Sequence, residues 1–318
     1  MGDSSREGGI DMLDIEHLSV RFGSASAAVS DISLSVGEKE KVILVGETGS
    51  GKSVLLLAIL QMLPASAAVS GRALLDGTDL LALSPREMNR IRGQRISYVP
   101  QGSGNGMNPL LPVGYQVGEP LMIHQNLSKK EAFSHAVAAL RRFDFGQEEK
   151  LARQYPHTLS GGMRQRAMIA MGVALGAPLL FADEPTKGLD GHRIELVVDA
   201  FRRLEDQAIL CVTHDLRFAR EVAQQMAVLY ASQLVEWCSK EAFFREPLHP
   251  YSQAMLAALP ENGLWAETGF APPREDSQLA GACRYYHRCP WKGSRCRENP
   301  PLFPVGNGRK VRCWNYGS

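Results

Sequence analysis

The chain has 318 residues, and its 35 Lys and Arg against 34 Asp and Glu leave a formal charge of +1. That length suffices for one large domain plus an extension, or for two modest domains, and it can bury a substantial core. The near-zero balance argues against a strongly basic nucleic-acid binder and against an acidic disordered chain.

The N-terminus is polar, with Asp3, Arg6 and Glu7 and no apolar segment behind them, so no signal peptide is expected. The uncharged run Ala167 to Ala182 is interrupted by Gly176-Ala177-Pro178 and falls short of a bilayer span. The chain is not expected to cross a membrane alone, and a cytoplasmic location is the default.

From Met12 to Val36 apolar and polar residues alternate, as in Leu13-Asp14-Ile15-Glu16 and Ile32-Ser33-Leu34-Ser35-Val36, which predicts half-buried antiparallel strands. Next, Lys41-Val42-Ile43-Leu44-Val45 leads into Gly46-Glu47-Thr48-Gly49-Ser50-Gly51-Lys52-Ser53 and then into the apolar run Val54 to Leu60. Strand, glycine-rich turn and helix in that order form the setting of a phosphate-binding loop. Glycines let the backbone curl so that successive N–H groups face phosphate oxygens, and the helix beginning near Lys52 adds the positive end of its dipole. Lys52 would reach the β- and γ-phosphates, and Ser53 would ligate Mg²⁺. A plain glycine turn is the bland alternative. One strand earlier, Phe22 is either a core residue or a platform for an adenine ring.

Val69 to Asp79 reads as two short strands around Asp76-Gly77, and Ser84-Pro85-Arg86-Glu87 as a helix start. Arg95 to Val99 is a strand that stops at Pro100 and presents Gln101. The Gly-, Asn- and Pro-rich stretch Gly102 to Pro112 is a loop, followed by helical patterns at Lys129 to Phe143 and Glu148 to Gln154. Leu159-Ser160-Gly161-Gly162-Met163-Arg164-Gln165-Arg166 then runs into an apolar helix to Leu175. Leu179 to Ala182 is a buried parallel-type strand ending at Asp183-Glu184, and Ile209 to Val212 repeats the design, ending at Thr213-His214-Asp215. In open α/β sheets that edge is where ligands sit. The alternation of strands and helices predicts an α/β fold with a mostly parallel sheet covered on both faces.

Each of these features is weak alone, but their order and spacing are specific. With the motifs GETGSGKS, VPQ, LSGGMRQR, LLFADEPTKGLD and VTHDL, the region from Met12 to Ser239 resembles the ATP-binding cassette (ABC) superfamily. The resemblance implies a P-loop NTPase (RecA-like) core with an antiparallel β subdomain, and a nucleotide-binding domain over 12–245 with an inserted α-helical subdomain at about 102–170. It implies ATP and Mg²⁺ as cofactors, Gly46 to Ser53 around the phosphates, and Asp183 and Gln101 beside Ser53 in the Mg²⁺ shell. Glu184 looks like the general base and His214 the γ-phosphate contact. Ser160, Gly161 and Gly162 would face nucleotide held by a second ABC ATPase subunit, homologous or identical, and Asp190 would link the two sites. Two departures are visible. Lys187-Gly188-Leu189 precedes Asp190 where a small residue, Ala and Leu are usual. Gly102-Ser103-Gly104-Asn105-Gly106 follows Gln101 where an acidic residue is common.

Beyond Ser239, Pro247-Leu248-His249-Pro250-Tyr251 opens an amphipathic helix closed by Pro260. The His-Pro-Tyr core resembles the C-terminal region, here 246–318, of ATPase subunits from oligopeptide, dipeptide and nickel importers. This branch implies two transmembrane permease subunits, an extracytoplasmic solute-binding protein, no nucleic acid, and a peripheral position on the cytoplasmic face of the membrane. The cargo would be a peptide, nickel or a metal chelate. A soluble cassette acting on nucleic acid or ribosomes is the alternative, although neither a second cassette nor a long coiled-coil insertion is present.

Of six cysteines, Cys211 and Cys238 read as core, while Cys283, Cys289, Cys296 and Cys313 form a small Cys-containing C-terminal extension. From Cys283 onward eight Lys and Arg face one carboxylate, a net +7. Four thiolates in that setting suit an anionic Fe–S cluster, and similar tails are associated with a [4Fe-4S] centre. The five-, six- and sixteen-residue gaps between cysteine neighbours' positions are not those of a zinc ribbon, but zinc and free or disulfide-bonded cysteines stay open.

Overall fold

The computed structural model describes residues 11–23, 27–102, 106–259 and 281–317. The chain divides into two compact units, one formed by Met1–Glu38, Val42–Ala82 and Ala223–Ser318, the other by Lys39–Lys41 and Leu83–Val222.

The first unit begins with β1 (Asp11–Phe22) paired antiparallel to β2 (Val29–Gly37). Leu13 and Ile15 are buried on β1, but so are Leu18 and Val20, so the inward parity slips by one. The pairing register shifts between Ile15 and Leu18, around His17 at φ 51°, and this bulge keeps both halves of the strand facing the core. β3 (Lys41–Gly46) and α1 (Lys52–Ile59) flank the phosphate loop. β4 (Ala67–Leu75) and β5 (Thr78–Asp79) close a hairpin on Asp76 and Gly77, at φ 47° and 80°. The sheet order is β2-β1-β4-β5, the expected antiparallel layer.

The second unit contains α2 (Pro85–Ile91), β6 (Ile96–Val99), α3 (Val113–Gln125), α4 (Lys129–Arg141), α5 (Glu148–Arg153), α6 (Gly161–Val173), β7 (Leu179–Asp183), α7 (Gly191–Arg202), β8 (Ala208–Thr213) and α8 (Leu216–Val222). β6, β7 and β8 pair in parallel, and every residue of β7 and β8 is buried, as their unbroken apolar sequences require. Reciprocal capping boxes start α2 at Ser84 with Glu87 and α4 at Ser128 with Glu131. The sequence gives no forewarning of α3, because Gly114, Gly118 and Pro120 are poor helix residues. The glycines are there for packing. A Cβ at Gly114 would lie 2.7 Å from that of Ala152, and one at Gly118 would lie 2.8 Å from the Ala132 carbonyl oxygen.

The chain then returns to the first unit with β9 (Gln225–Tyr230), β10 (Gln233–Ser239), α9 (Lys240–Arg245), α10 (Pro250–Ala257), β11 (Phe303–Pro304) and β12 (Lys310–Val311). β9 lies parallel to β3, but β9, β10, β12 and β11 follow one another antiparallel. The expected mostly parallel sheet therefore needs correction at this edge. The β9–β10 hairpin turns on Ala231 and Ser232, at φ 45° and 74°, a left-handed pair without the Asn-Gly signature that announces such turns.

Candidate functional site

In the first unit, the phosphate loop is held from several directions. Lys52 is buried, and its Nζ donates to the carbonyls of Gly46 at 2.7 Å and Glu47 at 3.0 Å. Both are neutral acceptors within the loop, weaker partners for an ammonium than phosphate oxygens would be. Gly51 caps α1 at φ 101°, and a Cβ there would sit 2.1 Å from the Ala28 carbonyl oxygen. Ser232 of the unheralded hairpin donates its N–H to the Ser50 carbonyl at 3.1 Å and accepts from Ser30 N–H at 2.8 Å, tying loop to sheet. Phe22 ends β1 half-buried, paired with Ala67, and so is not a full core residue.

In the second unit, the parallel pairing of β7 with β8 brings Asp183, Glu184, Thr213 and His214 to one sheet edge. Glu184 is 7% exposed and sits at φ 49°, a left-handed conformation that a non-glycine residue adopts at a cost of roughly 1–3 kcal/mol. Its backbone N–H donates to the Val212 carbonyl at 2.8 Å, and its Oε2 faces Thr213 Oγ1 at 3.3 Å, His214 N at 3.3 Å and His214 Nδ1 at 2.7 Å. The carboxylate is therefore buried, oriented and backed by a half-exposed imidazole. Asp183 is 3% exposed, and its Oδ2 faces Tyr98 Oη at 3.4 Å. Burial, and then the adjacent Asp183 carboxylate, push the Tyr98 phenol far above its ordinary range, so it stays a donor. Neither Tyr98 nor Thr213 stands out in sequence by residue type; their roles follow from strand register. Gln101 lies exposed just beyond β6, and Ser103–Asn105, part of the stretch that departs from the family pattern, fall outside the described residues.

Ser160 is the N-cap of α6, its Oγ accepting from Met163 N–H at 3.3 Å, so the helix begins earlier than its apolar run. Asp190 caps α7 in the same way through Arg193 N–H at 3.1 Å, and its Oδ2 lies 3.4 Å from the Arg193 guanidinium. The Arg193 side chain also passes Gly162, where a Cβ would meet its Cδ at 2.9 Å. One arginine absent from the expected list thus joins the Ser160–Gly162 turn to Asp190.

The His-Pro-Tyr core acquires a physical reading. His249 is the N-cap of α10, with Nδ1 accepting from Tyr251 N–H at 3.0 Å and a second hydrogen bond to the Arg312 backbone. Pro250 presets the first helical turn, and Tyr251 Oη accepts from Glu47 N–H at 3.0 Å. Burial lowers the His249 pKa from 6.5 to about 3. Between those values only the unfolded chain takes up the proton, so stability falls as pH drops below 6.5, by about 2 kcal/mol from pH 7 to pH 5. Urea midpoints at those two pH values should show that loss in the parent and not in His249→Asn, whose amide oxygen can still cap the helix. An equal loss in both would place the acid sensitivity elsewhere.

Cys211 and Cys238 are core residues, 0% and 1% exposed. Cys283, Cys289, Cys296 and Cys313 line one small cavity with His249, Tyr285 and Trp314. Burial raises the Cys283 thiol to about 11 and raises Cys289 and Cys313 as well. Four sulfurs on one cavity suit a cluster in donor type, yet among the described residues no three His, Cys, Asp or Glu side chains are placed to hold one metal ion. The four thiols thus share a cavity, but the ligand set that the expected Fe–S or zinc site requires is not formed among the described residues.

Comparisons with known proteins follow these lines. Residues 29–187 match the family model described as ABC transporter, and residues 235–296 match the one described as oligopeptide/dipeptide transporter, C-terminal region. The chain is 37% identical over 301 residues to the oligopeptide transport ATP-binding protein AppD of Bacillus subtilis, covering 91% of each chain. It is 38% identical over 316 residues to the dipeptide transport ATP-binding protein DppD of Escherichia coli, covering 95% of this chain and 96% of that one. Among solved structures, the ATP-binding cassette MJ0796, a dimer in a post-hydrolysis state with ADP and Pi, superposes with a TM-score of 0.64 at 26% identity, over 72% of this chain and 99% of that one.

Proposed function

The chain belongs to the ATP-binding subunits of ABC transporters, and from that premise we propose that it hydrolyses ATP to drive di- or oligopeptides inward through a pore built by other chains. The observation that carries this reading is the Glu184 carboxylate, buried at a strand end, strained in its backbone and oriented by Thr213 and His214. Such a group can accept a proton from an attacking water at the moment of bond formation.

Lys52 serves the β- and γ-phosphates, while the glycine-rich turn from Gly46 to Ser53 supplies the anion cradle. Ser53, Gln101 and Asp183 offer hydroxyl, carboxamide and carboxylate oxygens, the hard donors that suit Mg²⁺. Asp183 satisfies the demand most clearly, being a carboxylate only 3% exposed. Bound Mg²⁺ would neutralise charge on the β- and γ-phosphate oxygens. His214 supports Glu184 and contacts the γ-phosphate. Phe22 stacks on the adenine. The Ser160–Gly162 turn, with Asp190 joined to it through Arg193, serves nucleotide held by a second cassette.

No helix among the described residues is long and apolar enough to cross a membrane, so the pore comes from two permease chains against which this subunit sits peripherally. An extracytoplasmic binding protein delivers the cargo. The likeness to dipeptide and oligopeptide subunits favours peptide over nickel or a metal chelate. The test is entry of a labelled peptide into vesicles carrying the assembled transporter with ATP on the side of this subunit.

For the C-terminal thiols, the reading is a [4Fe-4S] cluster ahead of zinc. It is supported by four sulfurs on one cavity and a net charge of +7 in the surrounding segment. The full chain purified anaerobically should show visible thiolate-to-iron absorbance that Cys283→Ser reduces; colourless protein with two or fewer irons per chain would remove the cluster.

A further inference from the structure

The second residue of the phosphate loop is an acid, and an acid there is an electrostatic liability. Glu47 adds a carboxylate to the loop that must receive a polyphosphate. Its side chain is 24% exposed, and Oε1 takes a 2.9 Å ion pair from Arg288, itself 22% exposed. The other oxygen, Oε2, is buried and has no hydrogen-bond partner among the described residues. Charge compensation at Glu47 therefore rests heavily on one guanidinium that lies 241 positions away in the chain.

Arg288 is held for this task. Its guanidinium carbon lies 5.7 Å from the Tyr230 ring centroid and 5.6 Å from that of Tyr285, within cation–π range of both. Those rings pack edge to face at 5.1 Å, and Tyr251 leans on Tyr230 at 4.6 Å. The same Tyr251 accepts the Glu47 N–H, turning that amide away from the anion cradle and fixing the residue whose carbonyl holds Lys52. Backbone and side chain of Glu47 are thus both gripped by residues from the C-terminal part of the chain.

We propose that Arg288 and Tyr251 are positioning residues for nucleotide: Arg288 cancels the Glu47 carboxylate so that the loop accepts polyphosphate, and Tyr251 fixes the Glu47 backbone beneath Lys52. The proposal rests on the reading of Gly46 to Ser53 as an ATP site. It makes the C-terminal region part of the nucleotide site as well as a mark of the cargo branch.

The test is calorimetric titration of the full chain with Mg²⁺·ATP, with thermal unfolding as a control for folding. Arg288→Gln should weaken binding about tenfold, because it leaves the Glu47 carboxylate uncompensated on the loop that receives the phosphates. Introduced into Glu47→Gln, the same change should cost less than about twofold, since no carboxylate remains to cancel. Arg288→Lys, which keeps the charge, should stay within about threefold of the parent even if Arg288→Gln proves too unstable to assay. Tyr251→Phe should weaken binding about threefold by releasing one hydrogen bond. Equal losses from Arg288→Gln in the presence and absence of the Glu47 carboxylate would overturn the proposal, as would an unchanged affinity in the parent background. Failure of Arg288→Lys to bind would overturn it too. A parent protein that takes up no ATP would instead defeat the underlying reading of the loop.

Discussion

Lys52→Ala is expected to lower affinity for Mg²⁺·ATP at least about 100-fold, or roughly 3 kcal/mol, while leaving the fold intact. The loss is large because the removed group is a buried ammonium, 5% exposed, that would meet anionic phosphate oxygens in the complex. The fold should survive because the loop has independent ties. Ser50 N–H donates to the Glu47 carbonyl at 3.1 Å, Ser232 N–H to the Ser50 carbonyl, and Glu47 N–H to Tyr251. Calorimetry separates the two quantities: an unshifted melting temperature with no heat of ATP binding is the expected pair. Affinity within a few-fold of the parent would mean that phosphate is held elsewhere.

Glu184→Gln is expected to have the complementary effect, with ATP still bound and turnover reduced about 10²- to 10³-fold, the range of a lost general base. The substitution is nearly isosteric, and an amide oxygen can still accept from Thr213 Oγ1 and His214 N–H, so geometry changes little. What disappears is basicity at the one oxygen on which three donors converge. Phosphate release by the assembled transporter, with ATP affinity determined in parallel, checks this. A fall in affinity equal to the fall in rate would recast Glu184 as a binding residue.

The parts of this site that can be read from the chain are those in which a few consecutive residues carry both the local structure and the chemistry. Gly46 to Ser53 announces a turn, a helix start and an anion cradle together, and Ser160 is at once a helix cap and the first residue of its turn. The unbroken apolar runs of β7 and β8 fix buried parallel strands with polar ends, so Asp183, Glu184 and His214 could be placed at one edge. Helix α3 was hidden because its glycines answer to Ala132 and Ala152 on other helices, a demand that local propensity cannot reveal. The β9–β10 hairpin was hidden because an Ala-Ser turn carries no conformational signature, and the surrounding sheet imposes its left-handed pair. Arg193 and Arg288 look like ordinary surface charges until folding sets one against Gly162 and Asp190 and the other against Glu47.

The region after Ala223 gathers with the N-terminal strands, and the inserted helices with β6, β7 and β8. This grouping brings the His-Pro-Tyr segment to the phosphate loop. The likeness at 235–296 thereby connects with nucleotide binding through Tyr251 and Glu47.

The decisive measurement is simultaneous: phosphate release and entry of a labelled dipeptide, followed together in vesicles that carry this subunit with its permease and cassette partners, for the parent and for Glu184→Gln. Both rates should be robust in the parent and should collapse together in the variant. Peptide entry that continues at the parent rate while ATP cleavage is abolished would contradict a transporter powered by this carboxylate.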